Sequence, residues 1–406
     1  MNEQLAPGAQ MPEGFIPLSV PELRGNEWKY VKECLDTNWV SSVGPFVDRF
    51  EQMVADYVGR KYAIATTSGT AALQVALLVA GVQPGDEVLI PALTFIASAN
   101  AIRYLGAWPV FMDVESHYWQ IDPQIVSDFL EKKCGWSNGA LYNKSTRRRV
   151  KAILPVHILG HPADLGGVVD VARKYDLTVI EDAAEGLGAK YRPRGGQWSA
   201  VGALGDLACL SFNGNKIITT GGGGMIVTND EAWARRAKYL TTQAKDDPLE
   251  YIHKEIGYNF RLTNVQAALG CAQMERLEEY VTIKRRIAQT YNQSFSETSG
   301  IAPMLEAPWA FSTFWLYTIL INQEKFGSDS RVLLHHLGKT GIQARPLWQP
   351  LHLSEAHREA GDFRCPNAEA LYRQALSLPC SVSLTPQQQD RVISAIQCAG
   401  QIPMTP

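Results

Sequence analysis

Residues 62–90 read YAIATTSGTAALQVALLVAGVQPGDEVLI, and this stretch decides the fold class. Tyr62–Thr66 is a short β-rich run, Gly69–Ala80 has helical spacing, and Gly81 ends the helix. Pro84-Gly85-Asp86 then turns the chain into a second apolar run, Glu87–Ile90. Working outward, the spacing predicts helices over Ile96–Leu105 and Gly166–Tyr175. Strands are expected at Pro109–Asp113, Ala152–Pro155, Leu177–Glu181 and Ala208–Phe212. Apolar strands that alternate with helices make an α/β chain, with a mainly parallel sheet between helical layers.

The chain has 406 residues, beyond the roughly 250–300 at which one core stops growing, so two packed units are expected. They are a large α/β domain over 15–260 and, over 261–406, a linking helix with a smaller α+β domain. A flexible head over 1–14 precedes them. Leu262–Phe295 reads as one long amphipathic segment, opened by a capping box of Thr263 and Gln266. Gly135–Arg149 interrupts the alternation, with Asn138-Gly139 as a hairpin turn. Its Arg147–Arg149 run reads either as a solvated hairpin or as a phosphate or partner contact.

Lys+Arg 38 against Asp+Glu 41 gives a formal charge of −3, which leaves no basic footprint for nucleic acid or an anionic membrane. The first residues have no basic n-region and no apolar h-region, and no run approaches the roughly 18–20 apolar residues of a membrane span. The seven cysteines are scattered and never form Cys-x-x-Cys, which points to reduced thiols in a cytoplasmic protein without a metal site.

Several motifs fail. Gly338-Lys339-Thr340 looks like the end of a Walker A loop, but Leu333 stands where that motif needs its first Gly. There is no Gly-x-Gly-x-x-Gly fingerprint, which argues against an unrelated doubly wound nucleotide-binding enzyme. Ser68-Gly69 lacks the Gly that a nucleophile elbow needs at position 66. His157 and His161 are four apart, but Gly160 and Pro162 argue against a shared helix face.

Three features hold. Ser68-Gly69-Thr70-Ala71-Ala72, between a strand and a helix, reads either as a phosphate cup or as an N-cap alone. Val179-Ile180-Glu181-Asp182 delivers an acid to the C-terminal edge of the sheet, where it either holds a pyridine nitrogen protonated or is solvated. Ser211-Phe212-Asn213-Gly214-Asn215-Lys216, followed by Gly221–Gly224, places a lysine among small polar residues, where its amine can form a Schiff base. The four glycines either let the backbone crowd a flat ligand or form a flexible turn. A phosphate cup, a ring-nitrogen acid and a Schiff-base lysine, in this order, are what pyridoxal 5′-phosphate requires of its protein.

The sequence resembles the DegT/DnrJ/EryC1/StrS family of nucleotide-sugar aminotransferases over nearly its whole length. The resemblance rests on Ser68-Gly69-Thr70-Ala71-Ala72-Leu73, Pro84-Gly85-Asp86-Glu87-Val88, Thr94-Phe95, Glu181-Asp182-Ala183-Ala184, Ser211-Phe212 with Lys216, and Arg261-Leu262-Thr263-Asn264-Val265-Gln266. It implies the fold type I, aspartate-aminotransferase-like architecture of pyridoxal-phosphate enzymes. It also implies a homodimer with shared active sites. Carried over, Lys216 would link to the cofactor and shuttle the proton, and Asp182 would pair with the ring nitrogen. Phe95 would stack on the ring. Ser68, Gly69, Thr70, Ser211 and Asn213 would bind the phosphate, and Asn264 would reach it from the other subunit. Glu185 stands where the family often has Gln or His near the ring hydroxyl, and Gly221–Gly224 replaces the more usual Gly-Glu-Gly-Gly.

The resemblance extends to the branch acting at sugar C4. It implies transfer of the amino group of L-glutamate to UDP-2-acetamido-2,6-dideoxy-4-ketohexose, with GDP-4-keto-6-deoxymannose as the alternative acceptor. Trp315, Tyr317, Trp348 and His352 read either as the sugar pocket or as core. The family's dehydratase branch carries His where Lys216 stands, and a non-catalytic regulator on the same fold would be expected to lose Lys216 or Asp182.

Overall fold

A computed structural model describes residues 14–247, 249–361 and 363–400. The flexible head assigned to 1–14 therefore lies, apart from Gly14, outside the described residues. Seven strands form the central sheet: β1 (Tyr62–Thr66), β2 (Glu87–Pro91), β3 (Trp108–Met112), β4 (Val150–Ile153), β5 (Thr178–Asp182), β6 (Leu207–Ser211) and β7 (Gly224–Thr228). Their order is β1-β7-β6-β5-β4-β2-β3, and β7 alone runs antiparallel to both its neighbours. The six others point the same way, so their C-terminal ends share one edge. Their side chains are buried almost throughout, as expected for strands covered on both faces. This is the mainly parallel α/β sheet anticipated from residues 62–90.

Helix α1 (Glu27–Asp36) and α2 (Pro45–Val58) precede the sheet, α3 (Gly69–Val79) follows β1, and α4 (Ala97–Tyr104) follows β2. The segment read as one long helix is two: α5 (Asn264–Met274) and α6 (Leu277–Phe295), separated at Glu275 and Arg276. The capping box of Thr263 and Gln266 opens α5 as expected. The break has a packing cause. α5 is buried nearly all round against α1 and α2, whereas α6 buries one stripe, including Tyr280, Lys284, Ile287 and Tyr291. One straight helix cannot serve both environments.

The C-terminal residues build a second sheet of four strands, with Tyr317–Ile321 in its interior and Ala375–Leu378 beside it. α6 packs on this region, where the Tyr291 hydroxyl donates to the Pro379 carbonyl at 2.9 Å. No helix among the described residues is long and apolar enough to cross a membrane.

The 135–149 insertion is an antiparallel hairpin, Cys134–Ser137 against Ala140–Asn143. Asn138 and Gly139 both take positive φ, 48° and 76°, the geometry that a two-residue turn of this type demands. Of its arginines, Arg149 grips Asp86 at 2.5 Å and Arg148 lies 3.9 Å over the Trp108 ring. Both partners sit beside the N-terminal ends of β2 and β3, opposite the edge that carries Asp182. Residues 136–139 and 144–147 are exposed, as the solvated-hairpin reading expects, while Arg148 and Arg149 staple the base of the hairpin and give the phosphate reading no support.

Gly270 of α5 meets the buried Phe50 ring of α2, where an added Cβ would lie 2.6 Å from a ring carbon. Phe50 in turn packs edge-on against Phe212, centroids 4.9 Å apart, next to the Lys216 loop. Gly→Ala inside a helix ordinarily stabilises by about 1 kcal/mol. Here the sign reverses: Gly270→Ala is expected to cost about 1–3 kcal/mol through overpacking. Urea denaturation checks this as a lower midpoint at unchanged slope, and an unchanged or raised midpoint refutes the packing argument.

Candidate active site

The shared C-terminal edge gathers the residues that the sequence singled out. Asp182 is the last residue of β5, Ser211 the last of β6, and Gly224, the first of β7, pairs with both Ser211 and Thr66. That register brings the β1–α3 turn and the end of β6 to one place. Ser68 caps α3, its Oγ accepting from the Ala71 amide at 3.1 Å. An added Cβ on Gly69 would come within 2.8 Å of the Ser211 Cβ, and one on Gly224 within 2.4 Å of the Ser68 carbonyl oxygen. Only glycine lets three backbone segments meet this closely, and the result is a cradle at a helix N-terminus, where amides and the helix dipole favour an anion.

The cradle opens into a cavity of ≈350 Å³ lined by Ser68, Gly69, Thr70, Phe95, Asp182, Glu185, Ser211, Asn213, Lys216, Trp315 and Trp348. Phe95, half exposed at the wall, presents a free ring. Gly222 and Gly223 line the cavity too, and the Gln266 amide holds the Gly222 carbonyl at 2.6 Å. The four-glycine loop is thus backbone crowded against a ligand space and tied to α5.

Asp182 and Glu185 are both buried. The Ser98 hydroxyl donates to Asp182 Oδ2 at 2.6 Å, and the Ala184 amide to Oδ1 at 3.1 Å. Burial pushes the Asp182 carboxyl above its usual range, against the pull of the Ser98 hydroxyl. Glu185 is raised by burial as well, opposed by Lys216. Its Oε2 accepts the Leu159 amide at 2.8 Å, and its Oε1 lies 3.4 Å from Lys216 Nζ. That amine also sits 4.1 Å over the Trp315 ring. Lys216 is therefore held between a carboxylate and an aromatic face at the cavity wall.

Behind Asp182, Glu181 is buried among donors. Burial raises its carboxyl, but His157 and the amides of Gly205 and Gly202 outweigh this and leave it below the usual range. The Ala163 amide donates to His157 Nδ1, so Nε2 carries the hydrogen that meets Glu181 at 3.1 Å. His157 and His161 thus serve the framework: His161 Nε2 accepts from the Ala307 amide.

Three expected site residues lie elsewhere. Tyr317 is in the core, stacked on Tyr291 at 4.8 Å with its hydroxyl on Asn292: it opens the strand Tyr317–Ile321, whereas Trp315 lies ahead of that strand, in the segment that lines the cavity. His352 bonds Glu369 at 3.2 Å and does not line the cavity. Asn264 is fully buried and spent within its own chain. Its Oδ1 accepts from the Phe46 amide and its Nδ2 donates to the Trp39 carbonyl, so within the chain it fixes the 39–46 connection.

Sequence reasoning missed Ser98 and Leu159. Ser98 is the second residue of α4, three after Phe95, where nothing local marks a serine as the partner of Asp182. Leu159, with φ 60°, points its amide at Glu185 from a left-handed conformation that bulky residues avoid. No residue type announces that conformation here.

The residues present fit pyridoxal 5′-phosphate. The glycine cradle suits its phosphate, the Asp182 carboxylate lacks the full cation that a protonated ring nitrogen would supply, and Lys216 offers the amine.

Comparison with known proteins agrees. Residues 21–397 match the model of the DegT/DnrJ/EryC1/StrS aminotransferase family, and the chain belongs to that family. A GDP-perosamine synthase of Caulobacter vibrioides is 40% identical over 384 residues, 94% of this chain and 97% of that one. A GDP-perosamine synthase of Escherichia coli O157:H7 is 39% identical, covering 92% and 95%. Among solved structures, DesV of S. venezuelae in complex with a ketimine intermediate superposes with a TM-score of 0.82 at 30% identity, covering 93% of this chain and 95% of that one. The architecture is accordingly fold type I.

The raised Asp182 carboxyl has a sign that can be tested. A buried acid whose folded pKa exceeds its unfolded value loses stability as pH rises from its ordinary 3.8 toward the folded value. In the cofactor-free protein, Asp182→Asn is expected to melt higher than the parent at pH 8, and the gap is expected to close toward pH 4. Adding pyridoxal phosphate is expected to stabilise the parent and not the variant. Scanning calorimetry decides, and a variant that melts lower at pH 8 refutes the account.

Proposed function

We propose that this enzyme transfers the amino group of L-glutamate to C4 of GDP-4-keto-6-deoxymannose, using pyridoxal 5′-phosphate. The observation that carries the reading is the placement of Lys216 between Glu185 and Trp315 on the wall of the cavity that Asp182 closes. Two GDP-perosamine synthases at 40% and 39% identity, matched nearly end to end, support the GDP-linked acceptor. The UDP-linked N-acetyl sugar, expected first from the sequence, has weaker support.

When bound, the cofactor supplies an electron sink and carries the amino group between the two substrates. The chain's own residues supply the rest. The cradle of Ser68, Gly69, Thr70 and Ser211, with Asn213 beside it, would hold the phosphate. Asp182, oriented by Ser98 and the Ala184 amide, would keep a proton on the ring nitrogen. Phe95 would stack on the ring. Lys216 Nζ takes and returns the proton at the reacting carbon, general acid–base work that a primary amine can do once its ion pair is relaxed. Glu185, with Oε1 3.4 Å from that amine, offsets its positive charge whenever it holds the proton. Trp315 and Trp348 form the side of the cavity open to the sugar.

The enzyme acts as a homodimer in this reading. Supporting it are the exposed apolar side chains of Trp28, Leu35 and Val43 on and after α1, and of Leu249 and Ile256 in the 245–256 hairpin region.

Purified protein incubated with L-glutamate and each candidate sugar tests the assignment by mass spectrometry of the nucleotide product. The GDP-linked amino sugar is expected, at a rate exceeding that with UDP-2-acetamido-2,6-dideoxy-4-ketohexose by tenfold or more, about the discrimination of 1.4 kcal/mol. The reverse preference overturns the acceptor and keeps the chemistry. Lys216→Ala is expected to abolish turnover while leaving the fold intact by circular dichroism. Steady-state activity in that variant overturns the mechanism.

A further inference from the structure

Lys284 is a cation in the protein interior, 3% exposed on α6, and no carboxylate pairs with it among the described residues. Its three ammonium hydrogens meet three acceptors: the Trp315 carbonyl at 2.9 Å, the Cys380 carbonyl at 2.8 Å and the Cys380 Sγ at 3.7 Å. A buried charge without a carboxylate partner is costly, and here only these two carbonyls and the thiol offset it. The position of its ligands gives the arrangement a use.

Trp315 carries the cavity wall at the point where the chain leaves the site and enters the strand at Tyr317. The preceding residue, Phe314, has φ 50°, a strained conformation for an aromatic side chain. The Trp315 indole does two things at once: its ring lies 4.1 Å beneath Lys216 Nζ, and its Nε1 donates to the Asn215 carbonyl at 2.7 Å. Asn215 is the residue immediately before Lys216, and its carbonyl also accepts from the Ser19 hydroxyl. Trp315 therefore fixes both the backbone entering Lys216 and the amine at its tip.

We infer that Lys284 is a positioning residue for the amino-transfer lysine. It holds the Trp315 main chain against Cys380, so that the indole keeps Lys216 aligned over the cavity. The inference rests on the reading of Lys216 as the amino-transfer lysine.

The test compares Lys284→Met with Tyr291→Phe. Both sit on the same buried stripe of α6, and both lose hydrogen bonds to the 379–380 segment, but only Lys284 touches Trp315. Full-length protein labelled with fluorotryptophan gives a fluorine NMR resonance for Trp315, assigned by its loss in Trp315→Phe. In Lys284→Met this resonance is expected to shift and broaden, and in Tyr291→Phe to stay in place. Lys284→Met is further expected to lower kcat by about ten- to a hundredfold, as misalignment of a reacting group does, with KM for both substrates changed by less than about threefold. Introduced into Trp315→Phe, it is expected to lower kcat little further.

Equal effects of the two variants would reduce Lys284 to a framework residue and overturn the inference. So would a rise in KM at unchanged kcat. If Lys284→Met does not fold, Lys284→Gln, which keeps one amide donor, is expected to show a smaller shift of the same resonance. An unmoved resonance there overturns the inference as well. A parent protein without amino-transfer activity would instead sink the proposed function, and the fluorine spectra would still decide the link between Lys284 and Trp315.

Discussion

Charges held out of water at one sheet edge organise this molecule. Asp182 and Glu185 are both buried, and one ammonium, Lys216, stands near them. Carboxylates in that position are unfavourable unless donors and cations are brought to them. Much of the local architecture can be read as that supply: Ser98 from α4, the Ala184 amide, the left-handed Leu159 amide, and the aromatic face of Trp315 under the amine. The remaining deficit is a cation beside Asp182, which in the proposed reading a protonated ring nitrogen would fill.

The second constraint is distance. Parallel strands end together, but a site forms only where the segments beyond those ends can touch. Gly69 and Gly224 allow the approach, and Ser211 and Ser68 fill the contact. Gly270 likewise lets α5 settle against Phe50, whose ring braces Phe212 and hence the loop to Lys216. Small residues here set how near the chain comes to itself, and the position of the amine depends on them.

The alternation of strands and helices around residues 62–113 is local information, written in apolar period and in Gly/Pro punctuation, so the sheet was legible in the sequence. So were Asp182 and Lys216, because each ends an apolar strand or follows one within a few residues. Glycines marked the cradle, and Asn138-Gly139 marked the hairpin. What could not be read was contact between distant segments. Tyr317 and Trp315 are two residues apart and equally aromatic, yet Tyr317 opens a buried strand while Trp315, just ahead of it, lines the cavity. Asn264 entered only through the family resemblance, and nothing local marks its partners, which lie 225 and 218 positions away along the same chain. The break between α5 and α6 was likewise invisible, since the heptad-like spacing continues through it while the surroundings change.

A parallel sheet has two unlike rims, and the 134–149 hairpin occupies the one without chemistry. Asn143 and Thr146 satisfy the buried Glu87 at the start of β2, and Arg149 holds Asp86 beside it. The insertion thus carries its own anchoring and shares no side chain with the cavity. Its tip can lengthen, shorten or take on a graft without the reacting groups registering the change. For an engineer it is a mounting point, and for a lineage of such enzymes it is ground on which surface can diversify while the chemistry stays fixed.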